Sequence, residues 1–386
     1  MIKPNGILIK LSSEVISETG KARKLIENFI KNRIFSICGK YEISFSEDKI
    51  LIKGYSEKCL EKLRMTLGVS EIAPGIIISN ENDIKLVEDY LENVITSMQK
   101  KRRPIERFVI KTKSSMLNDI IARIRSLMLS KGLREVSEES DLDIYIETIN
   151  GNVIVYVEKL EAPEGFPPNI GPKAVCLMSG GPDSTLATLL VARLGCKIIG
   201  IYFDFGVEEL REQARLRVLK VVRRLSRDWG LEIKLYVVPF SETVSRIASN
   251  CKPYNFFVLL KRFMLRTAEI VASKEKAQMI VTGEIIGEHA SQTLHNLRII
   301  SSAISEYPIV RPVANFDKET VFKKLIKMDR ELYNITASSI EPCRLFLEIK
   351  PTTKAKMREI LGDEERIGLR SEELLKVVEE SVVIEM

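Results

Sequence analysis

The sequence has little of what most metal and redox centres require. Among 386 residues there are six cysteines and two histidines, and no two cysteines have the two-residue gap typical of zinc ribbons and iron–sulfur sites. A histidine-rich metal site or a Ser-His-Asp triad is therefore disfavoured. The chain also lacks a run of about 18 apolar residues, which a membrane helix needs. The N-terminal residues lack the long apolar core of a secretory signal and lead directly into the apolar segment 7–9. We therefore expect a cytoplasmic protein with no membrane partner.

Positive charge is concentrated in one segment. The chain has 59 Lys and Arg against 53 Asp and Glu, a net charge of +6, yet residues 100–135 alone hold eleven basic and three acidic residues. Such a cluster is typical of proteins that bind a polyanion, because lysine and arginine that neutralise phosphates release condensed counterions. A solvated surface explains the charge equally well. The candidate polyanion-binding residues are Lys100, Lys101, Arg102, Arg103, Arg107, Lys111, Lys113 and Arg123.

The clearest domain boundary is the segment 161–173, which contains four of the fourteen prolines. Neither a helix nor a central strand continues through such a segment, so it predicts a linker. Before it, a β-α-β-β-α order that ends near Pro74-Gly75 predicts a ferredoxin-like α+β domain over residues 1–78, and a second small α+β domain follows over residues 79–165. After it, apolar strands alternate with helices, which predicts an α/β domain with a doubly wound parallel sheet over residues 174–386.

The most informative motif follows the first strand of this third domain. The apolar strand 174–178 leads into Ser179-Gly180-Gly181-Pro182-Asp183-Ser184-Thr185 and then into a helix. Paired glycines permit a tight turn and the close approach of a ligand. Backbone amides at the helix start, the hydroxyls of the motif and the helix dipole together favour an anion. The Lys-Ser/Thr ending of a Walker A motif is missing, and Pro182 removes one amide donor.

This motif resembles the pyrophosphate loop, or PP-loop, of the ATP pyrophosphatase superfamily, whose members split ATP into AMP and pyrophosphate while adenylating a substrate oxygen. Further segments resemble one family within it, the tRNA 4-thiouridine synthetases, or tRNA sulfurtransferases. These segments are Leu-Lys-Arg-Phe-Met-Leu-Arg at 260–266, the Thr-Gly-Glu, Gly, Ser-Gln-Thr and Asn-Leu elements within 281–297, Val-Arg-Pro at 310–312, Asp-Lys-Glu at 317–319 and Glu-Pro-Cys at 341–343. The two N-terminal domains resemble, more loosely, the family's ferredoxin-like domain and its THUMP domain, which binds the acceptor end of tRNA.

The resemblance implies a reaction in two stages. ATP first adenylates the C4 oxygen of a tRNA uridine, which is the one at position 8 in the family, and pyrophosphate leaves. A persulfide sulfur then displaces AMP and gives 4-thiouridine. This order is chemically sound, since the carbonyl oxygen is a poor leaving group until it is adenylated, and sulfur is a strong nucleophile.

The resemblance also implies roles for individual residues. Asp183 would place magnesium or the reacting groups, and Cys343 would carry or resolve the persulfide. Magnesium would arrive with ATP, without a metal site of the protein's own, and the basic cluster would bind tRNA. The expected nucleotide-binding residues are Ser179, Gly180, Gly181, Asp183, Ser184, Thr185, Lys261, Arg262, Gly283 and Gln292. Lys261 and Arg262 would neutralise the charge that develops on phosphate.

The other cysteines and two departures from the family bear on sulfur handling. Cys343 could instead be a small buried residue, as most free cysteines are; Cys176 fits the core, and Cys251 fits a structural role better than that of a second sulfur-handling thiol. Some archaeal-type relatives hold an iron–sulfur cluster with a Cys-x-x-Cys pair where this chain has Phe257-Val258-Leu259-Leu260, so we expect no cluster. The chain ends soon after Cys343, so we expect no rhodanese domain.

Several alternatives stay open. The sulfur donor is either a separate persulfide carrier or cysteine desulfurase, or inorganic sulfide. A related enzyme that uses a nucleophile other than sulfur, and a non-catalytic tRNA-binding protein, are competing interpretations, although the intact motif argues against the second. The sequence does not decide whether the chain forms a homodimer.

Overall fold

The computed structural model describes residues 3–39, 41–80, 83–100, 105–113, 117–206, 208–337 and 350–386, with the backbone alone described for residues 208–211. The chain divides into two compact units, residues 1–165 and 166–386. The boundary lies inside the proline-rich segment that the sequence predicts as a linker.

The first unit combines a β-sheet with helices. Its helices are α1 (Ser13–Ser17), α2 (Gly20–Cys38), α3 (Glu57–Leu63), α4 (Asp83–Lys100) and α5 (Asn118–Ser130). Its strands are β1 (Gly6–Leu11), β2 (Glu42–Phe45), β3 (Lys49–Lys53), β4 (Val69–Ile78), β5 (Arg107–Thr112), β6 (Arg134–Glu135), β7 (Leu142–Ile149), β8 (Asn152–Tyr156) and β9 (Leu160–Glu161). The strand order is β2-β3-β1-β4-β8-β7-β5-β6, and β9 pairs with β4.

The sequence analysis ends the first domain near Pro74-Gly75 and does not predict strand β4, which contains both residues. In the structure β4 pairs with β1, and Pro74 lies opposite Ile7. On the other edge, β9 pairs with residues 71–72 and β8 with residues 75–78. Neither of these described registers places a residue opposite Pro74, so its missing N–H removes no ladder hydrogen bond on that edge. Since β4 and β8 pair directly, one sheet runs through both predicted small domains, and their division at residue 78 stays a prediction.

The second unit is an α/β domain. Its strands are β10 (Lys173–Leu177), β11 (Lys197–Asp204), β12 (Ile233–Pro239), β13 (Met279–Val281), β14 (Ile309–Val310) and β15 (Val382–Glu385). Its helices are α6 (Pro182–Ala192), α7 (Glu208–Trp229), α8 (Ser241–Asn250), α9 (Phe256–Glu275), α10 (Leu294–Ser301), α11 (Lys318–Met328), α12 (Arg330–Thr336), α13 (Met357–Ile367) and α14 (Ser371–Glu379).

The sheet of the second unit has the order β14-β13-β10-β11-β12-β15. Strands β10 to β14 run parallel, and β15 is an antiparallel edge strand that the sequence pattern did not predict. The predicted α/β class with a parallel sheet is confirmed. From β10 the chain proceeds to β11 and β12 on one side, and it then returns to β13 and β14 on the other. The strand order therefore reverses between β10 and β13, and in open α/β sheets ligands bind outside the carboxyl ends of the strands at such a point.

A single apolar cluster fixes this sheet against the long helix α9. It joins Val175 of β10 and Ile199 of β11 to Phe263 and Ala268 of α9, all of them fully buried. Because the strands are covered, they read as nearly continuous apolar runs, which is the pattern that predicted a parallel sheet. Within the described ranges, no helix combines the length and the apolar character required to traverse a bilayer.

Candidate active site

The Ser179–Ser184 loop connects β10 to α6 at the point where the strand order reverses. Gly181 is the N-cap of α6, and Pro182 occupies the first helical position, where a missing N–H is tolerated. Gly180 has a φ of +75°, and a Cβ atom there would lie 3.1 Å from the backbone nitrogen of Val218 on α7. Both the backbone conformation and the contact therefore require glycine.

The hydroxyl groups of the loop hold its own backbone. Ser184 Oγ accepts a hydrogen bond from the Ser179 amide at 3.2 Å, and Ser179 Oγ accepts one from the Gly181 amide at 3.2 Å. Thr185 Oγ1 donates to the Gly181 carbonyl at 2.9 Å. These hydroxyls therefore shape the loop. At the start of α6, the amides of Asp183 and Ser184 precede the first intrahelical bond, that of the Thr185 amide to the Gly181 carbonyl, and such amides suit an anion.

Asp183 is the acidic residue of the loop, and one of its two carboxylate oxygens has a hydrogen-bond partner among the described residues. Its Oδ2 accepts a hydrogen bond from Lys318 Nζ at 2.7 Å, whereas its buried Oδ1 has no hydrogen-bond partner in the described parts of the chain. Burial raises the pKa of Asp183 above its ordinary value, although Lys318 acts in the opposite direction and nearby Glu288 adds to the rise. One carboxylate oxygen is therefore available for a cation, as magnesium coordination requires.

Lys318 is a site residue that the sequence analysis did not select. Asp317 caps α11 by accepting a hydrogen bond from the Thr320 amide, which places Lys318 in the first turn of that helix. Lys318 Nζ pairs with Asp183 and also with Glu288, at 3.0 Å. The Asp-Lys-Glu segment at 317–319 is among those that resemble the family, so it marked this region as functional. The sequence alone does not show that its lysine reaches the loop.

Two residues of the 281–297 segment also lie at the site. A Cβ atom on Gly283 would lie 2.5 Å from the Ser184 nitrogen, so the chain leaving β13 touches the start of α6 and glycine is required there. The buried Gln292 ends a short 3₁₀ helix, Ala290–Gln292, and its Oε1 has no hydrogen-bond partner among the described residues. The carbonyl of Gln292 accepts a hydrogen bond from the Gly287 amide at 3.0 Å, next to Glu288, which shares Lys318 with Asp183.

Glu284 brings two cations together beside the loop. Its Oε1 accepts a hydrogen bond from Lys261 Nζ and its Oε2 accepts one from Arg311 Nε, each at 2.8 Å. The hydroxyl of Thr282 also donates to Oε2, at 3.1 Å. Burial alone would raise the pKa of Glu284, but Lys261 and Arg311 outweigh it and lower the pKa to about 2. The carboxylate is therefore ionised at neutral pH, and the cluster carries one excess positive charge.

The contacts of Arg262 do not support its predicted role. The side chain is 2% exposed, and its guanidinium donates to both oxygens of Glu364, to the Ile299 carbonyl and to Ser302 Oγ. These bonds fix α9 to α10 and α13 inside the unit. A buried guanidinium with its donors committed in this way indicates a structural role, so we withdraw Arg262 from the expected phosphate contacts.

The predicted sulfur carrier, Cys343, lies outside the described residues. Among the described thiols, burial raises the pKa of Cys176 to about 12, that of Cys251 to about 11, and that of Cys196 above its ordinary value. Cys38 and Cys59 form a disulfide between the end of α2 and α3. None of these five described cysteines offers an accessible thiolate near neutral pH.

The basic cluster is only partly described, since residues 101–103 fall outside the described ranges. Lys100 and Lys113 are exposed. The other predicted residues pair with acidic side chains, Arg107 with Asp141 at 3.3 Å, Lys111 with Asp143 at 2.6 Å and Arg123 with Glu88 at 3.2 Å. Because those carboxylates lie outside residues 100–135, counting charge along that segment overstates the positive potential of the folded surface.

A family model described as "Thiamine biosynthesis protein (ThiI)" matches residues 170–369, which is more than half of the chain. The chain belongs to the ThiI family. This match covers the loop, Lys261, Glu284, Arg311 and Lys318, and it confirms the resemblance found in the sequence.

Curated relatives extend the ThiI similarity over the whole chain. A probable tRNA sulfurtransferase of Acetivibrio thermocellus is 29% identical over 404 residues, covering 100% of this chain and 97% of the relative. One of Saccharolobus solfataricus is 28% identical over 383 residues, covering 98% of this chain and all of the relative.

Solved structures support the fold. A crystal structure of a 4-thiouridine synthetase–RNA complex with bound ATP superimposes with a TM-score of 0.80 and 23% identity, over 100% of both chains. PH1313 from Pyrococcus horikoshii gives a TM-score of 0.57 and 15% identity, over 84% of this chain and 99% of that one.

Proposed function

We propose that this protein is an ATP-dependent tRNA sulfurtransferase, which adenylates a tRNA uridine and replaces its C4 oxygen with sulfur to give 4-thiouridine. The Ser179–Ser184 loop, with Asp183 and Lys318 paired above it at the strand-order reversal, carries the proposal. Full-length similarity to probable tRNA sulfurtransferases supports it, and so does the fold shared with a 4-thiouridine synthetase. By family resemblance, the uridine is the one at position 8.

ATP fits the residues present at this site. The amides at the start of α6 and its dipole suit the pyrophosphate portion. Asp183 Oδ1, which has no partner in the described parts of the chain, suits Mg²⁺ that arrives with the nucleotide. Lys318, Lys261 and Arg311 supply positive charge for the bond that breaks. The uridine oxygen attacks the α-phosphorus, the bond to pyrophosphate opens, and these cations stabilise the leaving group.

Cys343 is the proposed sulfur carrier. A sulfur-transferring thiol must be accessible and must ionise readily, and the described thiols are buried, half-buried with a raised pKa, or joined in a disulfide. The outer sulfur of a persulfide on Cys343, filled by a separate carrier or a cysteine desulfurase, would attack C4 and displace AMP. A second thiol, from a small-molecule or protein reductant, would then cleave the S–S bond, form a disulfide with Cys343 and release 4-thiouridine. Inorganic sulfide would accomplish the same displacement without a protein carrier.

Residues 1–78 and 79–165 are proposed as ferredoxin-like and THUMP portions, of which the second binds tRNA through the basic cluster. We propose that no iron–sulfur cluster is held beside α9, because the Phe257–Leu260 segment is apolar and packs in the core. The reaction is placed in the cytoplasm, where its tRNA substrate is available.

The deciding experiment is mass spectrometry of nucleosides from tRNA incubated with the protein, ATP, Mg²⁺ and sulfide. A uridine that exchanges one oxygen for sulfur confirms the proposal. Pyrophosphate release without sulfur incorporation, under conditions where a persulfide donor is also supplied, would favour a related enzyme with another nucleophile. No ATP-dependent product at all would refute the assignment.

A further inference from the structure

Glu284 lies just after β13, where the chain contacts both the Ser179–Ser184 loop and β14. Glu284 follows Gly283, whose backbone touches the first turn of α6, and the Thr282 amide bonds to the carbonyl of Val310 at 3.1 Å. Arg311 therefore approaches Glu284 from the end of β14, and Lys261 approaches it from α9. Glu284 is 8% exposed, and both oxygens of its carboxylate bind these cations.

Among the residues that the structure describes, the two cations keep donors that no acceptor uses. A lysine ammonium has three N–H donors, and in the described structure Lys261 Nζ donates one hydrogen bond, to Glu284. Its side chain remains 24% exposed. Arg311 donates to Glu284 and to Ser301 Oγ, at 2.9 Å. Like charges this close repel each other, and the ionised Glu284 between them reduces that repulsion.

A second carboxylate with the same pattern shows what a purely structural bridge looks like. Glu364 accepts hydrogen bonds from Arg262 and Arg266, at 2.8 Å each. There, however, Arg262 is buried and spends its other donors on the Ile299 carbonyl and Ser302. The two bridges are alike in charge, and each keeps one partly exposed cation, Lys261 at 24% and Arg266 at 28%. They differ in place, because the bridge at Glu284 follows Gly283, whose backbone touches the loop.

We propose that Glu284 is a positioning residue of the adenylation step: it holds Lys261 and Arg311 side by side so that their remaining donors bind the departing pyrophosphate. The inference rests on the proposed function, since the leaving group is that of ATP. Interactions that strengthen as the leaving group gains charge accelerate the chemical step more than they tighten ATP binding.

The test uses Glu284→Gln, which keeps the shape of the side chain and removes its charge. We expect the kcat for tRNA-dependent pyrophosphate release to fall about 10- to 100-fold, while the KM for ATP changes less than about threefold. Pyrophosphate affinity, measured by calorimetry with inorganic pyrophosphate and Mg²⁺, should weaken about tenfold. Glu284→Asp, which restores the charge, should recover part of both losses.

Glu364→Gln is the matched control, since it also removes a carboxylate that bridges two cations. It should leave pyrophosphate affinity unchanged even if it lowers the melting temperature. Wild-type pyrophosphate affinity in Glu284→Gln would overturn the inference, and so would equal losses of affinity in the two variants. Failure of the wild-type protein to release pyrophosphate would instead refute the proposed function, and the calorimetry would still decide whether Glu284 organises an anion site.

Discussion

Lys318 and Asp183 are 135 residues apart in sequence, yet Lys318 Nζ lies 2.7 Å from Asp183 Oδ2. The pair joins the first turn of α11 to the first turn of α6. It neutralises a carboxylate that burial makes costly to ionise, and it leaves Oδ1 available for a ligand. Disturbing either partner should therefore change both the chemistry and its dependence on pH.

Removing the lysine should shift the acid limb of the pH–rate profile. Burial raises the pKa of Asp183, Lys318 lowers it and Glu288 raises it. If ionised Asp183 is required, the rate of pyrophosphate release falls as the pH drops through this pKa. Lys318→Met should move that limb to higher pH, and Glu288→Gln should move it to lower pH. Steady-state pyrophosphate release across pH measures both shifts.

The control for this prediction is Lys323→Met on the same helix. Lys323 pairs with Glu319 on an exposed surface, with both side chains more than 70% exposed, and an exposed pair of this kind contributes little. Its profile should match that of the wild type. Identical profiles for Lys318→Met and Lys323→Met would exclude Lys318 from the site.

Asp183→Asn should stop pyrophosphate release without destabilising the fold. A carboxyl whose pKa is raised on folding contributes stability below its unfolded pKa and loses that contribution as the pH rises through the folded value. At neutral pH the ionised group is therefore a cost, and the amide removes it. We expect a melting temperature at pH 7 equal to or above that of the wild type, measured by differential scanning calorimetry. A lower melting temperature combined with retained activity would contradict the assignment of Asp183 to the site.

Cys343→Ala should separate the two stages of the reaction. Adenylation does not use a thiol, so pyrophosphate release should persist, while formation of 4-thiouridine from a persulfide donor should be abolished. Cys251→Ser is the control, because Cys251 is half-buried with a raised pKa and should not carry sulfur. Normal 4-thiouridine in Cys343→Ala, assayed by nucleoside mass spectrometry with the same donor, would remove Cys343 from the mechanism.

Short sequence patterns predicted the structural elements that depend only on neighbouring residues. The Gly-Gly turn before α6 and the apolar parallel strands follow from short stretches of sequence, and the structure places them as expected. The sequence analysis did not predict strand β4. Pro74 is tolerated in it because β8 ends at Tyr156 and β9 begins at Leu160, which the sequence of β4 does not contain.

Side-chain roles that depend on distant partners could not be read from the sequence. Lys261 and Arg262 are adjacent and chemically similar, yet one helix turns them to different surroundings. Lys261 reaches Glu284 beside the loop, whereas Arg262 is buried against Glu364. In the same way, the charge of the 100–135 segment is offset by Glu88, Asp141 and Asp143 from neighbouring elements. Motif similarity located the site, but only tertiary contacts distinguish a ligand contact from a core bridge.

Charge reversal at Arg102 and Arg103 should weaken tRNA binding and flatten its salt dependence. Each lost phosphate contact removes roughly 0.7 to 0.9 from the slope of log affinity against log salt, so the double variant should lose up to about 1.8. Fluorescence anisotropy with labelled tRNA over a salt series measures the slope. The double variant Lys21→Glu and Lys24→Glu, on exposed positions of α2, is matched in charge and should change the slope less. Equal slopes for the two variants would place the RNA surface elsewhere.

The disulfide between Cys38 and Cys59 should stabilise the first unit under oxidising conditions. It connects the end of α2 to α3, with Cα atoms 5.0 Å apart and a sequence separation of 21. Closing a loop of this length restricts the unfolded chain and contributes about 3 kcal/mol. Cys59→Ser should therefore lower the denaturant midpoint of the oxidised protein, while reduction with dithiothreitol should lower the wild-type midpoint towards that of the variant.

The control is Cys251→Ser, which removes a free thiol. Its denaturant midpoint should still differ between the oxidised and the reduced protein. A wild-type midpoint that does not respond to reduction, together with two free thiols at these positions by mass spectrometry, would show that the bond does not form in solution.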